Sequence, residues 1–142
     1  MTIATILETS LYVENLHRSI EFYDRVLGLK PASDPSARLC ALDVASDQVL
    51  LLFTRGGSVR PTITPGGLIP ATDGDGSLHV AFGIAPSAFD AWRARITSVG
   101  VPIESEVSWP EGGRSLYFRD PDRHVIELKT SNWQGRPVRE EL

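Results

Sequence analysis

A single cysteine, Cys40, excludes a disulfide framework and leaves no Cys-rich zinc site to be built. Long apolar runs are missing too. The longest are strand-sized, as at residues 49–53, far short of the roughly 20 residues of a membrane span. Basic residues are in the minority, 14 Lys and Arg against 18 Asp and Glu for a net charge of −4, and they form no cluster. This argues against nucleic acid or an anionic membrane as partner. The N-terminus has no charged n-region, apolar h-region and cleavage site, so a cytoplasmic chain is expected. No G-x-S-x-G elbow signals a hydrolase nucleophile, and no phosphate-cradling Gly-rich motif signals a nucleotide. Asp120 and Asp122 open like a calcium loop, but Val125 and Ser131 stand where that loop needs Gly and Glu.

What is present is an ordinary globular composition, 42% hydrophobic over 142 residues, enough to bury roughly two-thirds of the unfolded surface in one core. Residues 6–13 alternate as a strand, with Leu7, Thr9, Leu11 and Val13 on one face and Glu8, Ser10 and Tyr12 on the other. Asn15 caps a helix whose stripe is Leu16, Ile20, Tyr23 and Leu27, and Gly28 ends it. Short strands follow at 30–33, 39–44 and 49–54, with turns at Asp34-Pro35 and Ser46-Asp47. The Gly- and Pro-rich stretch 56–76 holds no long regular element and reads as linker and lid.

Then the pattern restarts. Residues 78–84 form a strand with Val80, Phe82 and Ile84 on one face and His79, Ala81 and Gly83 on the other. Pro86 opens a helix carrying Phe89, Trp92, Ile96 and Val99, which stops at Gly100. Strands at 103–108, 114–119 and 125–130 follow, the last two joined by Asp120-Pro121-Asp122. The polar tail, 131–142, is expected to be loosely held apart from Trp133. The chain thus reads strand–helix–three strands, twice, and superposing the halves puts Glu8 on His79 and Leu51 on Glu127.

The fold expected is α+β in one domain. Two βαβββ modules, about 5–55 and 77–130, would pair their mixed sheets into a cup. The faces turned away from the helices present Glu8, Ser10 and Tyr12, then His79, then Glu127 and Lys129. One imidazole and two carboxylates, Glu8, His79 and Glu127, suit a divalent cation and leave positions open for water or substrate. The bland alternative is a satisfied strand histidine with two solvent-facing carboxylates.

Three segments carry a resemblance: ETSLYVENLHRSIEFYDRVLGLKP at 8–31, LHVAFGI at 78–84, and GGRSLYFRDPDRHVIEL at 112–128. With the strands between them the chain resembles the vicinal oxygen chelate superfamily over roughly residues 5–130. That superfamily holds glyoxalase I, bleomycin-resistance proteins, fosfomycin-resistance enzymes and extradiol dioxygenases. The resemblance implies metal ligands at Glu8, Leu51, His79 and Glu127. Leu51 cannot bind metal, which speaks against a glyoxalase I copy, and Glu8 stands where the family commonly has His. The pattern S-x-Y-F-x-D-P-D looks like the fosfomycin enzymes and implies that Ser115 and Tyr117 contact substrate.

Ser10 and Tyr12 are further candidates for the substrate surface. Trp109 and Trp133 are placed as walls of an apolar pocket, and Arg114 and Arg119 as contacts for an anion or as surface ion pairs. His17 and His124 are read as a helix-surface residue and a polar filler of the turn. The implied activity is Lewis-acid catalysis on a small substrate with vicinal oxygens, by lyase, isomerase or thiol-transfer chemistry. The ion would be Mn, Fe, Ni, Co or Zn, a carboxylate (Glu8 or Glu127) would move the proton, and the working form would be a homodimer. The competing readings are metal-free sequestration of a drug or metabolite and, below it, an Fe(II) dioxygenase.

Overall fold

The structure, a computed structural model, describes residues 1–45 and 47–139. These form two compact units divided after Gly76. Each combines a small mixed sheet with a helix, an α+β construction.

In the first unit, β1 (Glu8–Val13) runs parallel to β3 (Gln48–Thr54), which pairs antiparallel with β2 (Leu39–Ala45). Between β1 and β2 lies α1 (Leu16–Leu27). Its first turn is closed by Asn15, whose side-chain oxygen accepts from Arg18 N at 3.0 Å. Gly28 ends it at φ 74°, a backbone region that costs a side chain strain. The helix packs on β2 and β3, but its buried stripe is turned from the expected one. Phe22, Tyr23, Val26 and Leu27 are buried with the small Ser19, while Leu16 and Ile20 are half-exposed. Leu11, Val13, Leu42, Leu50 and Leu52 complete this core.

One expectation for this unit fails. Residues 30–33 form no strand; Pro31 makes one isolated bridge to Leu42, flanked by Ala32 N donating to Ala41 O and Asp43 N to Lys30 O. Pro35 follows closely, with its φ fixed and no N–H to donate. The 56–76 stretch holds only short elements. It folds β4 (Thr62–Thr64) and β5 (Gly67–Ile69) into a hairpin around Pro65-Gly66, because a Pro-Gly turn between β-branched residues outweighs the overall Gly content. The stretch is also anchored: Arg38 Nη1 donates to Thr62 Oγ1 at 2.7 Å. At its base the Asp73 carboxylate accepts from Gly56 N at 3.0 and 3.1 Å. Of the turn expected at Ser46-Asp47, Ser46 lies outside the described residues.

The second unit has the sheet order β6-β9-β8-β7, with β6 (His79–Gly83) parallel to β9 (Val125–Lys129). The neighbours β8 (Arg114–Arg119) and β7 (Ser105–Ser108) are antiparallel. A 3-10 turn from Pro86 leads into α2 (Phe89–Ser98), which buries Phe89 and Ile96 and leaves Trp92 and Val99 half-exposed. Leu116, Phe118, Ile126 and Leu128 form the sheet's share of the core. The tail reverses its expectation. It is held by a bridge from Ser131 to Pro137 and by Val138 N donating to Thr130 O at 2.9 Å, whereas Trp133 is 90% exposed. Glu140, Glu141 and Leu142 lie outside the described residues. No helix among the described residues is long and apolar enough to cross a membrane.

The internal repeat is written in the register. Glu8 pairs with Val49 and Ser10 with Leu51; in the second unit His79 pairs with Val125 and Ala81 with Glu127.

Candidate functional site

In the second unit the sheet face turned from α2 carries a connected polar set centred on Glu127. The side chain is placed by β9, whose neighbours Ile126 and Leu128 point into the core, so alternation sends Glu127 to the opposite face. There it is almost wholly buried, 4% exposed. A buried carboxylate is costly unless its oxygens are occupied, and here both are. Oε1 accepts from Ser115 Oγ at 2.6 Å and from Tyr117 Oη at 2.9 Å. Oε2 lies 3.0 Å from His79 Nε2.

The register explains the meeting. Tyr117 is the direct cross-strand partner of Glu127 on β8, and His79 sits on the other neighbouring strand, β6, two residues from Ala81, the parallel partner of Glu127. Ser115 is bound in turn, accepting from the Trp109 indole N–H at 2.7 Å. The chain Trp109–Ser115–Glu127–His79, with Tyr117 as a branch, is therefore continuous. The Tyr117 phenol is pushed above its ordinary range, first by burial and then because its O–H bonds to the Glu127 carboxylate, whose charge opposes a phenolate.

The equivalent face of the first unit carries no such set. By register, Leu51 takes the place of Glu127, Ala41 that of Tyr117, Leu39 that of Ser115 and Glu8 that of His79. Glu8 is exposed at the start of β1, and Ser10 is half-buried beside it. Tyr12 stacks on Phe53 with ring centroids 5.6 Å apart, and Gly74 of the long loop lies against it. A Cβ at Gly74 would come within 2.7 Å of the Tyr12 ring. Among the described residues no three His, Cys, Asp or Glu side chains are gathered as one group.

Other candidates are structural. Arg119 makes a two-pronged pair with Glu104, at 2.7 and 2.9 Å, and donates to Arg123 O at 3.0 Å, so it is a surface ion pair rather than an anion contact. Arg114 lies over the Phe89 ring at 3.8 Å, with Asp90 and Glu106 beside it. His124 is fully buried; its Nδ1 accepts from Leu78 N at 2.9 Å, and Asp120 Oδ1 receives its backbone N–H at 2.8 Å. His17 is exposed on α1. Sequence reasoning missed two features. The Trp109–Ser115 bond depends on the turn at residues 109–113 and has no linear signature. Lys129 lies with its ammonium 4.3 Å above the Trp109 ring and 5.3 Å from that of Trp133. Only the shared face of Glu127 and Lys129 was readable.

Comparison with known proteins follows the same lines. Fosfomycin resistance protein FosX of Listeria monocytogenes is 42% identical over 59 residues, 41% of this chain. That match spans 44% of the relative's own length. Metallothiol transferase FosB of Lysinibacillus sphaericus is 27% identical over 146 residues, covering 96% of this chain and 89% of the relative. Among solved structures, lactoylglutathione lyase from Agrobacterium tumefaciens superposes with a TM-score of 0.81 at 30% identity, covering 91% of this chain and 95% of that one. The Glyoxalase/Bleomycin resistance protein/Dioxygenase superfamily profile matches residues 5–128. With most of its length matched and the fold shared, the chain belongs to that superfamily.

Proposed function

We propose that this chain is a divalent-metal-dependent enzyme acting on a small substrate with vicinal oxygens, and that His79 and Glu127 are metal ligands. One observation carries the reading: a buried carboxylate, Glu127, with one oxygen beside an exposed imidazole, His79, and the other braced by two hydroxyls. The donor set fits a divalent cation, since metal-binding carboxylates are held in this way by outer hydrogen bonds. Nε2 of His79 meets a metal with its lone pair, and with an ion bound it is a ligand rather than a donor to Glu127. A divalent ion bound there supplies Lewis-acid chemistry, drawing charge from the substrate's oxygens.

The chain's own residues divide the remaining work. Glu127, with two hydroxyls donating to Oε1, is held in place. Tyr117, kept protonated, and the fully buried Ser115 orient Glu127, and Tyr117 offers its hydroxyl to the substrate. Trp109 belongs to the substrate surface in this reading.

Names among the relatives, fosfomycin resistance protein and metallothiol transferase, make thiol addition to an epoxide the first reaction to test, with lyase or isomerase chemistry next. In that reaction an S–C bond forms as the epoxide C–O bond breaks, and the oxygen takes the proton. The test is turnover of a thiol–epoxide panel by metal-loaded protein, by protein stripped with chelator, and by His79→Ala. Turnover confined to the loaded wild type supports the reading; equal turnover in all three overturns it.

A second reading, metal-free binding of a drug or metabolite, is favoured by Leu39, Ala41, Leu51 and Phe53, which make the first unit's face apolar and half-exposed. Saturable binding of such a ligand with no turnover and no metal would select it. Both readings carry a homodimer in the cytoplasm, and light scattering of the purified protein tests the dimer.

A further inference from the structure

Beside the Glu127 set, on the same sheet face, the second unit holds a cavity of about 280 Å³. This is near the lower end of the roughly 300–1,000 Å³ usual for small-molecule sites. Trp109 and Trp133 line it, together with Lys129, Glu111 and Asn132. The Lys129 ammonium stands over both indoles, at 4.3 and 5.3 Å from their ring centres. Cation–π contacts of this kind are weak at exposed sites, well below what a charge-assisted hydrogen bond to an anion offers. Among the described residues no carboxylate pairs with Lys129; Glu111 lines the same cavity without reaching it. Trp133 leaves almost all of its ring to solvent, so its stacking surface is available. Trp109 does two jobs, since its face walls the cavity while its N–H fixes Ser115.

We propose that this cavity binds a small organic anion, with Lys129 taking the charge and the indoles of Trp109 and Trp133 taking the carbon skeleton. Lys129 lies two residues from Glu127 along β9 and directly across from Ser115, so a ligand seated here abuts the Glu127 set. As the seat of the substrate's charged end the pocket rests on the reading of Glu127 as a metal ligand. Anion capture itself needs neither metal nor His79. The shared chemistry is a carboxylate or a phosphonate group attached to a flat apolar body.

The experiment is a tryptophan-fluorescence titration of chelator-treated full-length protein with benzoate, phenylphosphonate, benzamide and benzylammonium. The expected result is a saturable response to one or both anions. It should be at least tenfold weaker in Lys129→Met and Trp133→Ala, retained in Lys129→Arg, and tighter in Glu111→Gln, which removes a like charge from the wall. Response to benzoate alone assigns a carboxylate, and response to phenylphosphonate alone a phosphonate. Benzamide or benzylammonium acting as strongly as the anions overturns the proposal, as does no response to either anion or an unchanged Lys129→Met. His79→Ala separates the two readings. Unaltered anion binding in that variant supports an independent pocket even where no metal is bound, whereas loss of anion binding overturns it.

Discussion

Leu51 and Glu127 occupy the same register position in the two units: each follows a parallel pairing that begins two residues earlier, at Val49 opposite Glu8 and at Val125 opposite His79. One position is a half-exposed leucine and the other a buried carboxylate with both oxygens engaged. The first unit therefore shows what the second would be without its chemistry. It keeps the strands and the helix, but Leu39 and Ala41 stand where Ser115 and Tyr117 serve Glu127.

That comparison predicts the behaviour of Glu127→Leu. The leucine fits a strand, but it takes the acceptor from the O–H of Ser115, a fully buried residue whose oxygen still accepts from the Trp109 N–H. A buried polar group left without its partner costs about 1–3 kcal/mol. Urea denaturation should show a loss of that size in Glu127→Leu. Glu127→Leu combined with Ser115→Ala should recover part of it. Equal stability of the single and double variants would contradict the account.

The Tyr117 phenol gives a pH signature. Its folded-state value is raised, mainly by burial and then by Glu127, so the stabilisation is complete below the ordinary tyrosine value of about 10. It is lost as pH rises through the raised value. In chelator-treated protein, urea midpoints measured from pH 8 to 11 should fall more steeply for wild type than for Tyr117→Phe. Parallel curves would contradict the assignment.

Gly74 tests how the long loop is seated. Its missing Cβ would lie 2.7 and 2.9 Å from two atoms of the Tyr12 ring, which is itself stacked on Phe53 and is therefore not free to swing away. Gly74→Ala should lift the 56–76 loop and raise its rate of proteolytic cleavage several-fold. Tyr12→Ala in the same chain should restore protection. Unchanged cleavage in Gly74→Ala would show that the loop does not rest on Tyr12.

How much of this was legible follows from the physics of each signal. Helix ends were readable because Asn15 and Gly28 act locally, through one cap bond and one positive φ. Strand faces were readable because alternation has a period of two, which placed His79 and Glu127 on faces away from the helix. Register followed from the repeat. The strand expected at 30–33 shrinks to a single bridge at Pro31, because position in the repeat carries no signal for where pairing stops. The hairpin at 62–69 was hidden by counting glycines over the whole loop rather than reading Pro65-Gly66 as a turn. The Trp109–Ser115 bond and the placement of Lys129 over two indoles depend on a turn and a tail that carry no periodicity.

The central claim is that His79 and Glu127 hold a divalent ion. Its most direct test is elemental analysis after loading with Mn, Fe, Co, Ni and Zn in turn, for wild type, His79→Ala and Glu127→Gln. The account predicts close to one ion per chain in wild type and a loss of at least tenfold in affinity in each variant. Metal absent from wild type, or retained at full occupancy in His79→Ala, would contradict it.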